Sequence, residues 1–190
     1  MSAEVGLRPA RPGDAPAIAR VHVETWRAAY AGIVPDAYLV AMTESKQALQ
    51  WNHTIRSAVA PEAVLVAESS DLPGGRIVGF GSCGRARQRP GTGPGGGEVF
   101  TLYVAPDWQG RDIGRRILHG LLAKLKAGGL NEALVWVLSD NPARFFYEAM
   151  GGRRAAERRE RFAGVHLDEA AYAWGDLAAW LAERAGQGLA

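Results

Sequence analysis

Apolar residues recur at two different spacings along the chain, and each spacing indicates a type of element. Residues 13–30 carry apolar or bulky side chains at helical spacing, among them Ile18 and Trp26, which predicts an amphipathic helix. A second helical region begins near residues 34–36 and resumes at residues 43–57, where apolar and polar positions are mixed. A short strand at residues 5–11 precedes both.

The middle of the chain alternates β-rich and helical segments. Two runs, AVLVAES and RIVGFGSCG, are separated by SDLPGG, whose Asp, Pro and Gly favour a turn, so the runs are predicted to form a hairpin. The glycine-rich segment 89–98 is predicted to be a flexible loop, since a strand follows it and a dinucleotide fingerprint requires a helix. The next elements are a strand at 98–104, a helix at 114–129, a strand at 132–138 and a helix at 141–152.

The last third returns to strands at residues 153–162 and 166–174 and closes on a short helix at 175–185. The order is therefore one strand, two helices, three strands, helix, strand, helix, two strands and helix. This order predicts a mixed α+β sheet with one βαβαβ passage at its centre. Residues 1–190 are expected to form a single domain.

Composition narrows the class of protein. The chain is 47% hydrophobic and 22% charged, which is ordinary for a globular domain. Cys83 is the only cysteine, so an intrachain disulfide is excluded, and Cys83 is interpreted as a small buried apolar residue. The four histidines are scattered without a second histidine or cysteine at ligand spacing, so no metal site is predicted.

The sequence shows no targeting signal and only a small net charge, so a cytoplasmic protein is expected. The N-terminus has no apolar core of signal-peptide length, and no window approaches the roughly 18 unbroken apolar residues of a membrane span. The net charge is +2, which does not imply bulk binding to nucleic acid. The arginines of residues 153–161 are interpreted as the solvated side of a strand; the alternative, a nucleic-acid surface, would require salt-dependent affinity.

The turn that connects the strand at 98–104 to the following helix is the first candidate binding site. A strand that enters a helix through a glycine turn leaves the first helical N–H groups unpaired at the positive end of the helix dipole, where a phosphate can bind. The alternative is an ordinary connection with a basic first turn. The candidate residues of this turn are Gln109, Gly110, Arg111, Asp112, Ile113, Gly114 and Arg115.

The sequence of the same turn resembles a family motif. The pattern V-x-P-x-x-Q-G-R-x-I-G-R-x-I-L, from Val104 to Leu118, is similar to the acetyl-coenzyme A (acetyl-CoA) motif of the GCN5-related N-acetyltransferases (GNAT). One departure is Asp112, which stands where the motif has its first glycine. Asp tolerates a left-handed backbone better than most residues, but its carboxylate repels a diphosphate unless it points away or pairs with an arginine.

A second segment, SDNPARFFYEAMGG, resembles the family's other cofactor segment, in which Asn opens a helix and Tyr lies near its end before Gly. Asn141, Tyr147 and Gly151 occupy those positions. The first two helices and the last strand and helix are also similar to the family, so the resemblance spans nearly the whole chain. It implies a GNAT-like sheet of about seven strands, flanked by helices, whose fourth and fifth strands splay apart around the pantetheine arm of acetyl-CoA.

The resemblance also implies roles for single residues. Backbone groups of Leu102, Tyr103 and Val104 would align the pantetheine arm and hold the thioester oxygen, and Asn141 would contact the cofactor. Glu98 is the carboxylate best placed to act as a base on the acceptor amine, and Tyr147 is the candidate acid for the leaving thiolate.

Structural alternatives stay open for these side chains. Glu98 could be a solvated acid beside a glycine loop, Tyr147 a core aromatic residue, and Asn141 a helix N-cap. By analogy with the family, Trp26 and Tyr30 line the acceptor pocket, although core packing explains them equally well.

The sequence therefore predicts an acetyl-CoA-dependent N-acetyltransferase that transfers directly to a primary amine of a small molecule or of a peptide or protein N-terminus in a ternary complex. The alternative is a module that binds acyl-CoA without turnover. A homodimer is expected if the aromatic C-terminal segment is exposed, but the same segment could seal the sheet within one subunit. The identity of the acceptor does not follow from the sequence.

Overall fold

A computed structural model gives the fold of residues 4–70, 75–87 and 96–185. In this described part, seven strands form one sheet in the order β1-β2-β3-β4-β5-β7-β6. The strands are β1 Val5–Pro9, β2 Ala63–Ser69, β3 Arg76–Arg85, β4 Gly97–Val104, β5 Ala133–Leu138, β6 Arg153–Phe162 and β7 Val165–Trp174. Neighbouring strands are antiparallel except for β4 and β5, which are parallel.

Helices cover both faces of the sheet. They are α1 Ala15–Ala29, α2 Asp36–Ala41, α3 Glu44–Ser57, α4 Ile113–Ala127, α5 Ala143–Ala149 and α6 Leu177–Ala185. Successive strand residues point to opposite faces: Phe80 of β3 contacts His22 of α1, with ring centroids 5.9 Å apart, whereas Gly79 and Gly81 face α4. Helix α1, with α3 packed on it, therefore covers one face, and α4 covers the other.

Glycine in β3 sets how closely α4 approaches the sheet. A Cβ atom built on Gly81 would lie 2.7 Å from Leu121 Cδ1, a distance that real Cβ contacts do not reach. The apolar stripe of α4 fills the space that the missing side chain leaves, and Ile117, Leu118, Leu121 and Leu125 are fully buried there. Close packing of this helix fixes the position of its N-terminus relative to β4.

The predicted elements are confirmed, with differences at their ends. The second helical region is two helices, because Met42 and Thr43 are extended and the Thr43 hydroxyl caps α3 by accepting the Lys46 N–H. The predicted helix at 141–152 is shorter and begins at Ala143. Most of the predicted SDLPGG turn and of the glycine-rich loop lies in residues 71–74 and 88–95, outside the described residues.

Strands β4 and β5 separate after a short paired stretch. Their register extends only over Gly97–Val99 opposite Ala133–Val135, and beyond it β4 remains paired with β3 while β5 remains paired with β7. Thr101 and Val99 are paired with consecutive residues of β3, so Phe100 between them is a bulge. The bulge stands where pairing with β5 ends, and a cleft opens between the two strands.

The C-terminal elements close the sheet within one chain. Trp174, Leu177 and Trp180 are buried, and the indole N–H groups of both tryptophans donate to the Met150 carbonyl. These contacts favour the sealing role over an exposed dimer surface. Strand β6 is an edge strand. Most of its arginines are exposed, and three of them pair with acids, as Arg159 does with Asp168 at 3.3 Å. Among the described residues, no helix combines the length and the apolar character that crossing a membrane requires.

Candidate active site

A cavity of about 700 Å³ occupies the cleft between β4 and β5. Its walls come from five parts of the chain: the C-terminal half of α1, β4 after the bulge, the turn before α4, the end of β5 and the start of α5. The lining includes Thr25, Ala29, Tyr30, Leu102, Tyr103, Val104, Gln109, Gly110, Asp112, Ile113, Gly114, Arg115, Trp136, Asn141, Phe146 and Tyr147. Most of the candidate residues from the sequence therefore meet in one space.

One end of the cavity is the turn that opens α4. Gly110 and Asp112 both have left-handed backbone conformations, with φ of 72° and 64°, and this bends the chain tightly from the Pro106–Trp108 turn into the helix. The first amides of α4 have no preceding helical carbonyl to bond, so they are available to an anion. The expectation that Asp112 tolerates a left-handed backbone is confirmed.

The charged side chains of this turn have partners of their own. The Asp112 carboxylate pairs with the Arg115 guanidinium, and this contact raises the pKa of Arg115. Arg111 lies over the Trp108 ring at 4.7 Å, and Gln109 Nε2 donates to the Val104 carbonyl at 3.0 Å. The loop thus holds its own shape through these side chains, which leaves backbone amides as its main groups for an anion.

Two features of the cavity suit an extended ligand that carries a diphosphate: the helix N-terminus and the strand edge of β4. After the bulge, β4 is not paired with β5. The backbone of Leu102 and Val104 faces away from β3, and the Val104 carbonyl accepts from Gln109, so an extended amide chain could bond to the remaining groups as a strand does. A Cβ atom on Gly114 would meet its nearest neighbours, Phe146 and Leu102, at 3.6 Å and 3.8 Å. These are ordinary van der Waals distances, so the packing of the protein does not by itself require glycine at 114.

Tyr147 and Asn141 form the wall on the α5 side. Tyr147 is 6% exposed and packs edge-on against Phe146 and Trp174. Burial raises the pKa of its hydroxyl above the usual range. Asn141 is also 6% exposed, and its Oδ1 accepts the Ala143 N–H at 2.9 Å. The N-cap of α5 is Pro142, so the alternative of Asn141 as the N-cap is wrong by one residue, although its side chain does bond the first amide of the helix.

Tyr30 and Trp26 of α1 lie on the opposite side, but only Tyr30 lines the cavity. Trp26 packs behind it, with ring centroids 4.6 Å apart, and donates its indole N–H to the Tyr103 hydroxyl at 3.0 Å. Trp26 also contacts Tyr38 and Phe162. It supports the wall of the cavity and is not part of its surface.

Glu98 lies apart from the cavity. It is in the paired stretch of β4, is 3% exposed, and is not among the lining residues. Its carboxylate accepts the Arg87 backbone N–H at 3.0 Å and forms an ion pair with the Arg87 guanidinium. The alternative interpretation of Glu98 as a solvated acid is therefore wrong, because the carboxylate is buried. Its contacts with Arg87 fix the end of the β3–β4 hairpin.

The sequence did not single out the side chains of Tyr103 and Thr25. Tyr103 was expected to contribute only its backbone, yet its ring stacks on His22 with centroids 5.3 Å apart, and its hydroxyl accepts the Trp26 indole N–H. Thr25 lines the cavity one turn before Ala29. Helical spacing from Trp26 and Tyr30 alone gave no signal for either, because the contact depends on where α1 crosses β4.

Comparison with known proteins shows which family this chain resembles. The model of the acetyltransferase (GNAT) family matches residues 23–152. The uncharacterized N-acetyltransferase YuaI of Bacillus subtilis is 33% identical over 176 residues, which cover 92% of this chain and 95% of that protein. The N-alpha-acetyltransferase RimI of Mycobacterium tuberculosis is 36% identical over 90 residues, 47% of this chain and 53% of that protein.

A solved structure agrees in fold. The crystal structure of the PaiA N-acetyltransferase from Thermoplasma acidophilum in complex with coenzyme A superposes with a TM-score of 0.64 at 19% identity. The alignment covers 88% of this chain and 98% of that one.

Proposed function

This chain belongs to the acetyltransferase (GNAT) family of acyltransferases, whose acyl donor is acetyl-CoA, and from that premise we propose that it transfers the acetyl group to a primary amine. The acceptor class we propose is a small-molecule amine or the N-terminus of a peptide or protein. The observation that carries the proposal is the cavity that joins the α4 turn, the unpaired edge of β4 and the buried hydroxyl of Tyr147.

In this proposal the chain binds the donor mostly through backbone groups. The amides that open α4 hold the diphosphate, and the edge of Leu102 to Val104 aligns the extended arm. The ion pair of Asp112 with Arg115 lessens the repulsion between this carboxylate and a diphosphate, although it also occupies the Arg115 guanidinium.

The chemical step places three demands on the protein. The amine nitrogen must be neutral to attack, because an alkylammonium with a pKa of about 10.4 has no free lone pair. The negative charge that develops on the thioester oxygen needs hydrogen-bond donors, and backbone N–H groups of β4 can serve. The departing sulfur needs a proton.

Tyr147 is the group that we propose gives this proton. Burial raises its pKa, so the hydroxyl is protonated near neutral pH and can donate to the sulfur. Glu98 has no role in the proposed step, because its carboxylate is bound by Arg87 outside the cavity lining. The amine then loses its proton to water in the open part of the cavity.

The test is an assay of coenzyme A release. The protein is incubated with acetyl-CoA and a panel of amino acids, polyamines, aminoglycosides and peptides with free N-termini, and free thiol is recorded with time. Amine-dependent thiol release with at least one class is expected. Tight binding of coenzyme A together with no turnover across the whole panel would instead favour the binding module.

A further inference from the structure

Trp136 of β5 lines the cavity on the side of the sheet that faces α1. Alternate residues of a strand share a face, and Leu138, two residues further along β5, packs in the same apolar cluster as Tyr30. Trp136 and Tyr30 both line the cavity. Helix α4 covers the other face of the sheet, and the donor is proposed to bind at its N-terminus. Trp136 therefore stands at the end of the cavity that is left for the acceptor.

A charged side chain from another strand holds the ring of Trp136. The Arg158 guanidinium carbon lies 3.8 Å from the ring centroid, although β7 separates β6 from β5. Neighbouring strands are about 4.8 Å apart, so the two side chains must lean toward each other over β7. The residue of β7 that is paired with Trp136 is Ala171, which is fully buried. Its small side chain leaves the room in which the ring and the guanidinium meet.

Arg158 differs from the arginine next to it. The Arg158 side chain is 17% exposed, whereas that of Arg159 is 69% exposed. Arg158 Nε donates to Glu169 Oε2 at 2.5 Å and lies 3.5 Å from Glu160 Oε1. The edge of the guanidinium is thus bound by carboxylates while its face lies on the ring, which is a cation–π arrangement. These contacts fix the orientation of Trp136 and pair the nearby charges with one another.

Among the described residues, the lining of the cavity carries charge only at the α4 turn, where Asp112 and Arg115 pair with each other. The α1 side of the lining is made of aromatic, methyl and hydroxyl groups, which come from Thr25, Ala28, Ala29, Tyr30 and Trp136. A second ammonium group on the acceptor would lose water there without gaining a counter-ion. One face of Trp136 is already occupied by a cation, so the ring is a weaker partner for another.

We propose that Trp136 is a specificity-determining residue of the acceptor site, and that the acceptor is a small amine whose carbon skeleton is apolar and carries no second charge. This inference rests on the proposed function and names the acceptor class for it. The Trp136 ring packs against the carbon atoms next to the amine nitrogen. Arg158 is the positioning residue that keeps the ring in place. Polyamines and aminoglycosides are disfavoured because each brings further ammonium groups into an uncharged wall.

The first experiment compares two amines of equal chain length, hexylamine and 1,6-diaminohexane, which differ by one ammonium group. The wild-type kcat/KM for hexylamine is expected to exceed that for the diamine by at least about tenfold. Trp136→Leu should reduce this ratio by about tenfold through the KM of hexylamine, while the KM of acetyl-CoA changes by less than about threefold. A wild type that prefers the diamine, or a ratio that Trp136→Leu leaves unchanged, would overturn the inference.

A second pair of variants tests the positioning. Arg158→Met keeps an unbranched side chain over the ring but removes the cation, and it should lower the preference for hexylamine by about three- to tenfold. Arg159→Met is the matched control, because Arg159 is on the same strand and pairs with Asp168, but its side chain is mostly exposed; the preference should stay at the wild-type value. Thermal unfolding of each variant checks that the fold is intact. Equal preferences in the two folded variants would contradict a positioning role for Arg158.

The third measurement does not depend on turnover. Calorimetry follows the binding of N-hexylacetamide, the product expected from hexylamine, to protein that is saturated with coenzyme A. The wild type and Arg159→Met should bind it about tenfold more tightly than Trp136→Leu does. Equal affinities, or no binding to the wild type, would overturn the inference. Absence of thiol release by the wild type with every amine would instead count against the proposed function, and the calorimetry would still decide whether Trp136 contacts the acceptor.

Discussion

At the scale of single residues, the cavity depends on hydroxyl groups whose protons burial retains. The pKa values of Tyr30, Tyr103 and Tyr147 are all raised, with burial as the largest cause for each. A buried phenol is a poor base and a persistent donor. The three side chains therefore remain protonated and can donate hydrogen bonds to a growing negative charge.

Tyr147→Phe tests the acid directly. Loss of the hydroxyl should lower kcat by about 10²- to 10⁴-fold, the usual contribution of general acid catalysis, and should leave the affinity for coenzyme A nearly unchanged, because the ring still packs against Phe146 and Trp174. Steady-state kinetics and calorimetry measure the two quantities. A variant with wild-type kcat would remove Tyr147 from the mechanism.

Glu98→Gln separates a structural carboxylate from a catalytic one. The change leaves the Arg87 guanidinium without its buried partner, so the free energy of unfolding should fall by about 1–3 kcal/mol, with kcat unchanged. Glu157→Gln is the control, since its ion pair with Arg154 is exposed and should contribute less than about 1 kcal/mol. A large loss of kcat in Glu98→Gln, with stability retained, would restore Glu98 as the base.

At the scale of elements, the turn before α4 shows how a departure from a motif is accommodated. Asp112 adopts the left-handed backbone that a glycine would supply, and its carboxylate turns to Arg115. The sequence predicted the turn, its glycine and its tolerance of Asp112, because these depend on local backbone preferences. It could not predict that Arg111 stacks on Trp108 or that Gln109 bonds Val104, because both contacts depend on the path of the loop.

Asp112→Gly restores the usual motif. Glycine keeps the left-handed conformation without strain, and the change frees Arg115 for the diphosphate. Calorimetry should therefore show coenzyme A binding tighter by about tenfold, as expected for one additional charge-assisted hydrogen bond to the ligand. Asp107→Asn, which removes an exposed carboxylate from the same loop, should change the affinity by less than about threefold. Weaker binding in Asp112→Gly would mean that the ion pair orders the loop for the ligand.

The contribution of the α1–α3 packing to the stability of the fold is expected to depend on pH. His22 Nδ1 accepts the Trp51 indole N–H at 3.1 Å, and burial lowers the pKa of His22 to about 4. The folded protein keeps His22 neutral, while the unfolded chain binds a proton once the pH falls below about 6.5. Stability from this group is thus complete above pH 6.5 and is lost between pH 6.5 and 4, by about 3 kcal/mol.

Urea unfolding at pH 7, 5.5 and 4.5 measures this effect against His22→Gln. The glutamine can accept the Trp51 N–H through its side-chain oxygen but does not titrate. The stability of the wild type relative to the variant should decrease as the pH falls. A difference that is independent of pH would show that His22 is already protonated in the folded protein, or that burial does not hold its pKa down.

At the scale of the whole molecule, the active cavity exists because the sheet comes apart at its centre. Hydrophobic periodicity predicted nearly every strand and helix, since buried faces impose their period on the sequence. The convergence of Tyr30, Tyr103 and Asn141 was beyond such reasoning. These residues are far apart in sequence, and they line one cavity next to the Phe100 bulge, where the pairing of β4 with β5 ends.

The central claim is that acetyl-CoA binds in this cleft, with its diphosphate on the amides that open α4 and its arm along the free edge of β4. A crystal structure of the protein with coenzyme A tests it most directly. The account predicts the diphosphate at the amides of residues 110–115, the pantetheine arm between β4 and β5 beside residues 102–104, and the sulfur within hydrogen-bonding reach of the Tyr147 hydroxyl. Coenzyme A bound elsewhere, with residues 101–104 paired to β5, would contradict it.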